Sequence, residues 1–298
     1  MLAFGGPESV ADIGSFIAAM TGAPPSPEVL TAVARRYEAI GGGSPLPGMT
    51  RRQAVALQAA LRARLGGSVR VRPGFLYCPP TVAECLAGLD QRDTVVLPLS
   101  PYSSRLTTGA YRAALAAAGH SELPLLDGWY ADRRYLAALS RRVNETLDGA
   151  DPSEFALLLT AHNVPLETVT AGDPYVDQLL QTAARLVPAL SPGTWRLAFQ
   201  SKGRRGGEWL EPEAATAVRE FAAAGWKKLL VVPLGFVSDH VETLFDLDIE
   251  LREVAVSCDM AFRRCHALND SPAFIGALAE LVVDYLRVRP APRPAATP

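Results

Sequence analysis

Short apolar runs that end in Pro or Gly alternate along this chain with longer amphipathic stretches. This alternation is typical of buried parallel strands connected by crossover helices. The strand candidates are "MLAF", "RVRPGFLY", "TVVLPLS", "FALLLTAH", "WRLAFQS" and "KLLVVPLGF". The helix candidates cover residues 27–40, 50–64, 81–89, 110–118, 132–147, 174–186, 212–224, 241–256 and 272–288. The pattern therefore predicts the α/β fold class.

The strand pattern occurs twice. "MLAFGGP" is similar to "LLLTAHNVP", an opening strand that runs into a proline-ended loop, and "VVLPLSPY" is similar to "LVVPLGFV" further along. We therefore predict two similar α/β domains, residues 1–150 and 151–288, with an active cleft between them. The Pro- and Ala-rich segment 289–298 is predicted to be a disordered tail.

Composition limits the kinds of molecule that the protein is expected to bind. The chain has 298 residues, of which 49% are hydrophobic, so it can bury a sizeable core. A formal charge of −2 and a pI near 6.1 provide no basic field, which argues against nucleic acid and favours a small molecule. No transmembrane segment is predicted, because no apolar run reaches about 18 residues, and "MLAFGGPE" does not look like a secretory signal. A cytoplasmic location is expected.

The cysteines and glycines match none of the common cofactor motifs. Cys78, Cys85, Cys258 and Cys265 include no C-x-x-C pair, so reduced thiols are expected. "GGGSPLPG" has Leu46 where a dinucleotide-binding loop needs its third glycine, and neither a P-loop nor a G-x-S-x-G motif occurs. Nucleotide-binding and serine-hydrolase functions are therefore disfavoured.

The segment "GFVSDHVETLFDLDIE" concentrates negative charge. Asp239, Glu242, Asp246 and Glu250 are spaced three and four residues apart with no Lys or Arg among them, so an α-helix would place all four on one face. The opposite side would carry Leu244, Leu247 and Leu251. Like charges at this spacing cost about 0.2–0.5 kcal/mol per pair. Two interpretations stay open, a solvated acidic face and a metal or proton site at the mouth of a buried strand.

Polar side chains follow three strand candidates directly. His162 follows "FALLLTA", Ser103 and Ser104 follow "VVLPLSPY", and Asp239 and His240 follow "KLLVVPLGFVS". Ligands of doubly wound sheets bind beyond the carboxyl ends of the strands. A lone His there is commonly a hydrogen-bonded structural residue. Opposite a carboxylate row, however, a neutral imidazole becomes a candidate ligand for a divalent metal such as Fe²⁺.

These motifs resemble the ferrochelatases, which insert Fe²⁺ into a porphyrin in haem biosynthesis. The similarity runs almost end to end and is carried by "LAFGGPESVADI", "RRYEAIGGGSPLPGMTRRQA", "LPLSPYSSRLTTGAY", "LLLTAHNVP" with "GDPY", "FQSKGRRGGEWLEP", "GFVSDHVETLFDLDIE" and "LNDSPAFIGAL". The resemblance implies two Rossmann-like domains around a porphyrin cleft. It also implies a lyase with porphyrin and ferrous iron as substrates, and it allows a transient haem acceptor or pathway enzyme as partner.

The resemblance also implies roles for individual residues. His162 and Glu242 would form the catalytic metal and proton-transfer pair. Asp246 and Glu250 would continue as a metal or proton path on a helix distorted toward a π-form. The residues expected to line the porphyrin or its propionates are Arg36, Tyr37, Ser44 and Tyr130.

The sequence departs from the family pattern in three places. Phe4 stands where some bacterial relatives carry a Tyr, so axial ligation by that phenol is excluded. Cys258 and Cys265 match only part of an iron–sulfur cluster pattern, so no cluster or other cofactor is expected. The short segment "AAMTGAPPSPEVL" is closer to coproporphyrin-type than to protoporphyrin-type enzymes, whereas "GGGSP" and "DHVETLFDLDIE" favour the latter.

Three functional hypotheses follow. The first is iron insertion, with coproporphyrin III favoured over protoporphyrin IX. The second is a chelatase for another metal or tetrapyrrole, because the residues specify cation chelation better than they specify iron. The third is a non-enzymatic porphyrin or haem carrier. A carrier has no use for Glu242 and Asp246, so their presence beside His162 favours an enzyme.

Overall fold

The structure is a computed structural model that describes residues 1–203 and 206–288. It has parallel β-sheets flanked by helices, which confirms the α/β class. The strands are β1 Leu2–Ala3, β2 Gly74–Phe75, β3 Ala156–His162, β4 Thr194–Gln200, β5 Lys228–Val232 and β6 Ala261–Arg264. The predicted tail 289–298 lies outside the described residues.

The helices form the outer layers and the connections. They are α1 Ile13–Thr21, α2 Pro27–Ala39, α3 Leu46–Leu65, α4 Val82–Leu86, α5 Thr108–Ala117, α6 Arg133–Leu147, α7 Leu166–Thr170, α8 Tyr175–Leu190, α9 Ala214–Ala223, α10 Val241–Leu244, α11 Arg252–Ser257 and α12 Pro272–Val288. A π-helix, Asp246–Leu251, lies between α10 and α11. No helix of the described part is long and apolar enough to cross a membrane.

The second half of the chain contains a four-stranded sheet in the order β4-β3-β5-β6, and every neighbouring pair is parallel. Its central strand β3 is buried along its length and reads as a continuous apolar run, as expected for a parallel strand covered on both faces. All four strands therefore end at the same edge. His162 closes β3 and Gln200 closes β4 directly beside it in register.

The first half has less regular strand pairing than predicted. β1 and β2 pair in parallel over two residues each. The predicted strand "TVVLPLS" instead makes isolated bridges, Leu2 with Pro98 and Val96 with Leu125. Pro98 has no N–H to donate, so a continuous ladder cannot pass through it. The arrangement is still sheet-like, because the Leu2 N–H donates to the Leu97 carbonyl at 2.9 Å.

The largest apolar core joins side chains from both halves. Leu57 of α3, Leu139 of α6, Leu159 of β3 and Phe274 of α12 belong to this one cluster. The C-terminal helix α12 packs against α3 and α6, so its apolar face is covered by helices from the first half. The domain boundary near residue 150 stays a prediction.

Further differences concern the elements themselves. The predicted helix 241–256 is divided into α10, the π-helix and α11. Within it, the Glu250 N–H reaches the Phe245 carbonyl at 3.0 Å, a bond across five residues that widens the turn. The structure also contains α1, α7 and β6, which apolar periodicity did not predict. The sequence of β6 is "AFRR", and its two consecutive arginines give no apolar run from which a buried strand could be predicted.

Candidate active site

The centre of the site is a contact between His162 and Glu242, 80 positions apart in the chain. The Nδ1 atom of His162 lies 2.8 Å from Oε2 of Glu242. The side chains are 42% and 24% exposed, so an incoming ligand can reach them. Strand β3 places His162 at the sheet edge, and the first turn of α10 places Glu242 opposite it. The predicted catalytic pair is therefore brought together.

Both backbones of the pair are held by neighbouring side chains. The Tyr175 hydroxyl donates to the His162 carbonyl at 3.3 Å. The Gln200 side-chain amide donates to the Glu242 carbonyl at 2.6 Å, which ties the end of β4 to α10. Sequence reasoning did not single out Gln200 or Tyr175, although both lie in the motifs "FQSK" and "GDPY" that carry the family resemblance.

The two groups perturb each other's protonation. Burial lowers the pKa of His162, but the charge of Glu242 and its hydrogen bond outweigh burial and raise that pKa. Burial raises the pKa of Glu242, but the charge and hydrogen bond of His162, with smaller contributions from His240 and Arg36, lower it to about 2. Near neutral pH Glu242 is therefore ionised. When His162 donates its Nδ1–H to this carboxylate, its Nε2 is left free to accept a proton or bind a metal.

Asp246, the second predicted acidic residue, lies on the π-helix and is nearly buried. It forms an ion pair with Arg36 of α2 and accepts a hydrogen bond from the Ser201 hydroxyl. Burial raises the pKa of Asp246 despite the opposing effect of Arg36. Arg36, predicted to contact porphyrin, therefore contacts an acidic residue of the site in this structure.

Glu250 and Asp246 border a cavity of about 350 Å³ on one side of the π-helix. Glu250 is largely exposed, but partial desolvation of its carboxyl group and the charge of Asp246 raise its pKa. The other polar side chains that line this cavity are Arg36, Gln200, Ser201, Lys202 and Glu213. Leu247 and Leu251 are buried in an apolar core cluster and also line this cavity, while Leu244 is only partly buried.

Asp239 does not belong to the acidic row, and the prediction of four carboxylates on one face is wrong in this respect. It precedes α10, and its Oδ1 lies 2.7 Å from Nη1 of Arg264 while its Oδ2 accepts from Asn269 at 2.8 Å. Burial raises its pKa, but hydrogen bonds with His266 and Asn269 and the charge of Arg264 hold it well below the usual range. The row therefore consists of Glu242, Asp246 and Glu250.

The predicted porphyrin-lining residues are distributed around this centre. Tyr37 is buried, and its pKa is raised by burial and by the nearby charges of Glu242 and Asp246. The Tyr130 hydroxyl donates to Gln181 at 3.1 Å. Its ring stacks on Tyr102, which contacts Tyr175 edge-on, so Tyr130 is linked to the His162 backbone through two further rings.

Ser44, which is predicted to line the porphyrin, has little exposed surface. It is buried, its N–H donates to the Pro7 carbonyl at 2.7 Å, and its hydroxyl accepts from the Leu46 N–H at 3.3 Å. The preceding Gly43 packs so closely on the backbone that a Cβ there would lie 2.2 Å from the Glu8 carbonyl oxygen. Gly43 therefore allows close backbone packing, whereas Gly41 and Gly42 adopt positive φ angles with open space around them.

The other strand-end residues have different surroundings. The Ser104 hydroxyl donates to Asp173, just before α8, at 3.1 Å, and the Ser103 N–H donates to Gln178 of α8 at 2.7 Å. His240 is nearer the centre, with Nε2 3.9 Å from Oε2 of Glu242.

Phe4 is 39% exposed, and its ring packs against Tyr77 with centroids 4.7 Å apart. Tyr77 places a phenol beside the position where Phe4 lacks one. Sequence reasoning had considered only the first-strand position.

Comparison with known proteins agrees with the family resemblance seen in the sequence. The family model for ferrochelatase matches residues 1–286. A ferrochelatase from Deinococcus radiodurans is 34% identical over 94% of this chain and 93% of its own length. One from Herpetosiphon aurantiacus is 31% identical over 95% of this chain and 96% of its own. One from Thermosynechococcus vestitus is 38% identical over 88% of this chain and 72% of its own.

Solved structures with the same fold are chelatases. CbiX, described as the terminal enzyme of sirohaem biosynthesis in denitrifying bacteria, matches with a TM-score of 0.56 and 18% identity, covering 80% of this chain and 93% of that one. SirB from Bacillus subtilis with Fe³⁺ matches with a TM-score of 0.55 and 14% identity, covering 78% and 88%. At these identities the match establishes the chelatase-type fold.

Proposed function

This chain belongs to the ferrochelatase family, lyases that insert iron into a porphyrin in haem biosynthesis, and we propose that His162 and Glu242 carry out the insertion chemistry. The observation that carries the proposal is the 2.8 Å contact between the two side chains at the open edge of the sheet. Porphyrin and ferrous iron are the substrates. Two pyrrole N–H protons must leave as the metal enters, so the site needs a base beside a cation-binding group.

The geometry supports a division of work between the two residues. Because the ionised Glu242 carboxylate can only accept a hydrogen bond, His162 donates to it through Nδ1 and its Nε2 remains as the base or ligand for the substrate. The Glu242 carboxylate holds the ring and stabilises the imidazolium that forms when Nε2 takes a proton, which the raised pKa of His162 reflects. Bending of the porphyrin would expose its nitrogen lone pairs, at a strain cost of roughly 1–5 kcal/mol offset by contacts elsewhere on the ligand.

Asp246 and Glu250 provide a path for iron or protons along the side of the π-helix. Supporting this role, both border the cavity beside Gln200, and both have raised pKa values, so they can exchange protons more readily than ordinary carboxylates. In the structure, Arg36 forms an ion pair with Asp246. A porphyrin propionate that drew Arg36 away would leave Asp246 free for a cation.

Coproporphyrin III is the proposed substrate in preference to protoporphyrin IX. It carries four propionates rather than two, so it gains more from a cationic partner such as Arg36, and a charge-assisted hydrogen bond is worth about 1.5–3 kcal/mol. The segment before α2, "MTGAPPSP", offers few apolar side chains for a hydrophobic porphyrin. A side-by-side iron-insertion assay with the two porphyrins tests the choice, and a higher kcat/KM for protoporphyrin IX would reverse it.

A chelatase for another metal or tetrapyrrole is the second candidate. The fold is shared with SirB, which has been solved with iron and with cobalt, so the fold itself does not select a metal. Competition between Fe²⁺ and Co²⁺ in the same insertion assay separates this candidate from iron insertion. A haem carrier would bind porphyrin without turnover.

The enzyme is proposed to act without an iron–sulfur cluster or other cofactor. Burial is the main reason that the pKa of the Cys265 thiol rises to about 11, which disfavours the thiolate that a cluster requires. Cys78 and Cys85 lie in the first half of the chain, far from Cys258 in sequence. A cytoplasmic location is also proposed, as is a transient partner that accepts haem or acts in the same pathway.

A further inference from the structure

A buried arginine joins the two ends of the segment that carries the acidic row. Arg264, the last residue of β6, has a side chain only 2% exposed. Its Nη1 lies 2.7 Å from Oδ1 of Asp239. Its Nε and Nη2 donate to the two carboxylate oxygens of Asp248 at 2.6 and 2.5 Å, forming a bidentate pair.

The two acceptors enclose the candidate catalytic residues. Asp239 lies two residues before the start of α10, and Asp248 is in the third position of the π-helix. Glu242 and Asp246 lie between them. Arg264 therefore anchors both ends of this segment to the same strand end, while the Gln200 amide holds its middle at the Glu242 carbonyl.

A buried ion pair is a costly way to obtain stability, because well-packed apolar side chains of similar volume often stabilise a protein as well or better. A planar guanidinium also constrains the orientation of its partners, because it donates to carboxylates in a narrow range of geometries. Orientation matters here because the π-helix interrupts the regular turn of the segment that carries Glu242 and Asp246. A small rotation would move Glu242 away from His162.

We propose that Arg264 is a positioning residue that fixes the rotation of α10 and the π-helix, so that Glu242 faces His162 and Asp246 faces the cavity. The proposal rests on the proposed function, because it assumes that Glu242 and His162 act as a pair. Arg264 forms its ion pairs with Asp239 and Asp248 and acts on Glu242 and His162 through them.

The test compares Arg264→Lys and Asp248→Asn with a matched control. Lysine keeps the charge but loses the fork, and asparagine keeps the shape and one acceptor oxygen. Arg134→Lys is the control, because Arg134 is also bidentate to one aspartate, Asp132, and bonded to a second, Asp284. Thermal unfolding is measured for every variant, and assays are run well below the lowest Tm.

We expect Arg264→Lys and Asp248→Asn each to lower kcat at least tenfold while porphyrin Kd changes less than threefold. The NMR titration of the His162 ring should shift to lower pH, because Glu242 raises the His162 pKa only while it stays in contact with the ring. The double variant should lose no more than the worse single variant, because both substitutions break the contact between Arg264 and Asp248. Arg134→Lys should lower Tm but keep kcat within twofold and leave the His162 titration unchanged.

The proposal is overturned if the Arg264 and Asp248 variants lower Tm but keep both kcat and the His162 titration, since Arg264 would then be a structural brace only. If Arg264→Lys does not fold, Asp248→Asn supplies the same comparison. Glu242→Gln is assayed alongside. Wild-type turnover in that variant would refute the proposed function, whereas the His162 titration would still decide whether Arg264 positions the helix.

Discussion

Replacing Glu242 by Gln removes a charge from the centre of the site while nearly preserving its shape. The carboxyl pKa falls from an ordinary value of 4.5 to about 2 in the folded protein. At about 1.4 kcal/mol per pKa unit, the surroundings stabilise the ionised form by roughly 3 kcal/mol, with His162 as the main stabilising partner. Loss of a general acid–base contribution of about 10²-fold corresponds to about 2.7 kcal/mol, which is of the same size.

We therefore expect Glu242→Gln to reduce iron insertion by at least about 10²-fold while porphyrin still binds. Turnover is followed anaerobically by the change in porphyrin absorbance, and binding is followed by porphyrin fluorescence without metal. The pKa of His162, measured by NMR, should fall, because the neutral amide no longer offsets the cost of burying the imidazolium. Glu253→Gln is the control, since Glu253 is an exposed carboxylate on the adjoining α11.

Two results would refute this reasoning. Wild-type turnover in Glu242→Gln would show that the carboxylate has no part in the chemistry. An unchanged His162 titration with reduced turnover would show that the charge of Glu242 does not control the imidazole, and the division of work between them would have to be abandoned. Equal losses in Glu253→Gln would indicate a general effect of removing negative charge.

Four further outcomes are expected. His162→Ala should abolish insertion but keep much of the porphyrin affinity in a fluorescence titration, and near wild-type turnover would exclude its role as base or ligand. Arg36→Ala should raise the KM for coproporphyrin III more than that for protoporphyrin IX, and equal effects would contradict a propionate contact. Cys258→Ser with Cys265→Ser should retain activity, and the purified wild type should lack iron–sulfur absorption; stoichiometric acid-labile sulfide would contradict this. Because its folded pKa is lowered, the Glu242 carboxyl contributes stability above pH 4.5 that is lost as the pH falls toward about 2, so denaturant unfolding of wild type and Glu242→Gln should converge over that interval, whereas a constant difference would be inconsistent with the pair.

Much of the site could be anticipated from local sequence. The buried run of β3 ends at His162, and parallel strands place such residues at a common edge. Glu242 and Asp246 occur at helical spacing after the next apolar run, so a carboxylate near the histidine was a reasonable expectation. The α/β class followed from the same alternation of apolar runs and amphipathic stretches, because burial on both faces of a parallel sheet imposes a recognisable composition.

Local sequence did not reveal the partner of a residue where that partner is distant in the chain. Asp239 has the spacing of the acidic row, but α10 begins two residues later and the side chain turns to Arg264. Arg36 looks like an exposed helical arginine, yet its partner Asp246 is 210 residues away. Pairings of this kind depend on how the elements pack, and no periodicity in either segment records them.

The sequence by itself determined which side chains are available at the sheet edge, because strand ends and helix faces follow from local hydrophobic patterning. Only the tertiary structure decided which of them meet. The 2.8 Å approach of His162 to Glu242 requires β3 and α10 to pack side by side. The orientation of the acidic row requires the wide turn at Phe245 and the anchoring of Asp248 by Arg264. Packing of distant elements selects these contacts, because their geometry depends on the whole sheet rather than on either segment alone.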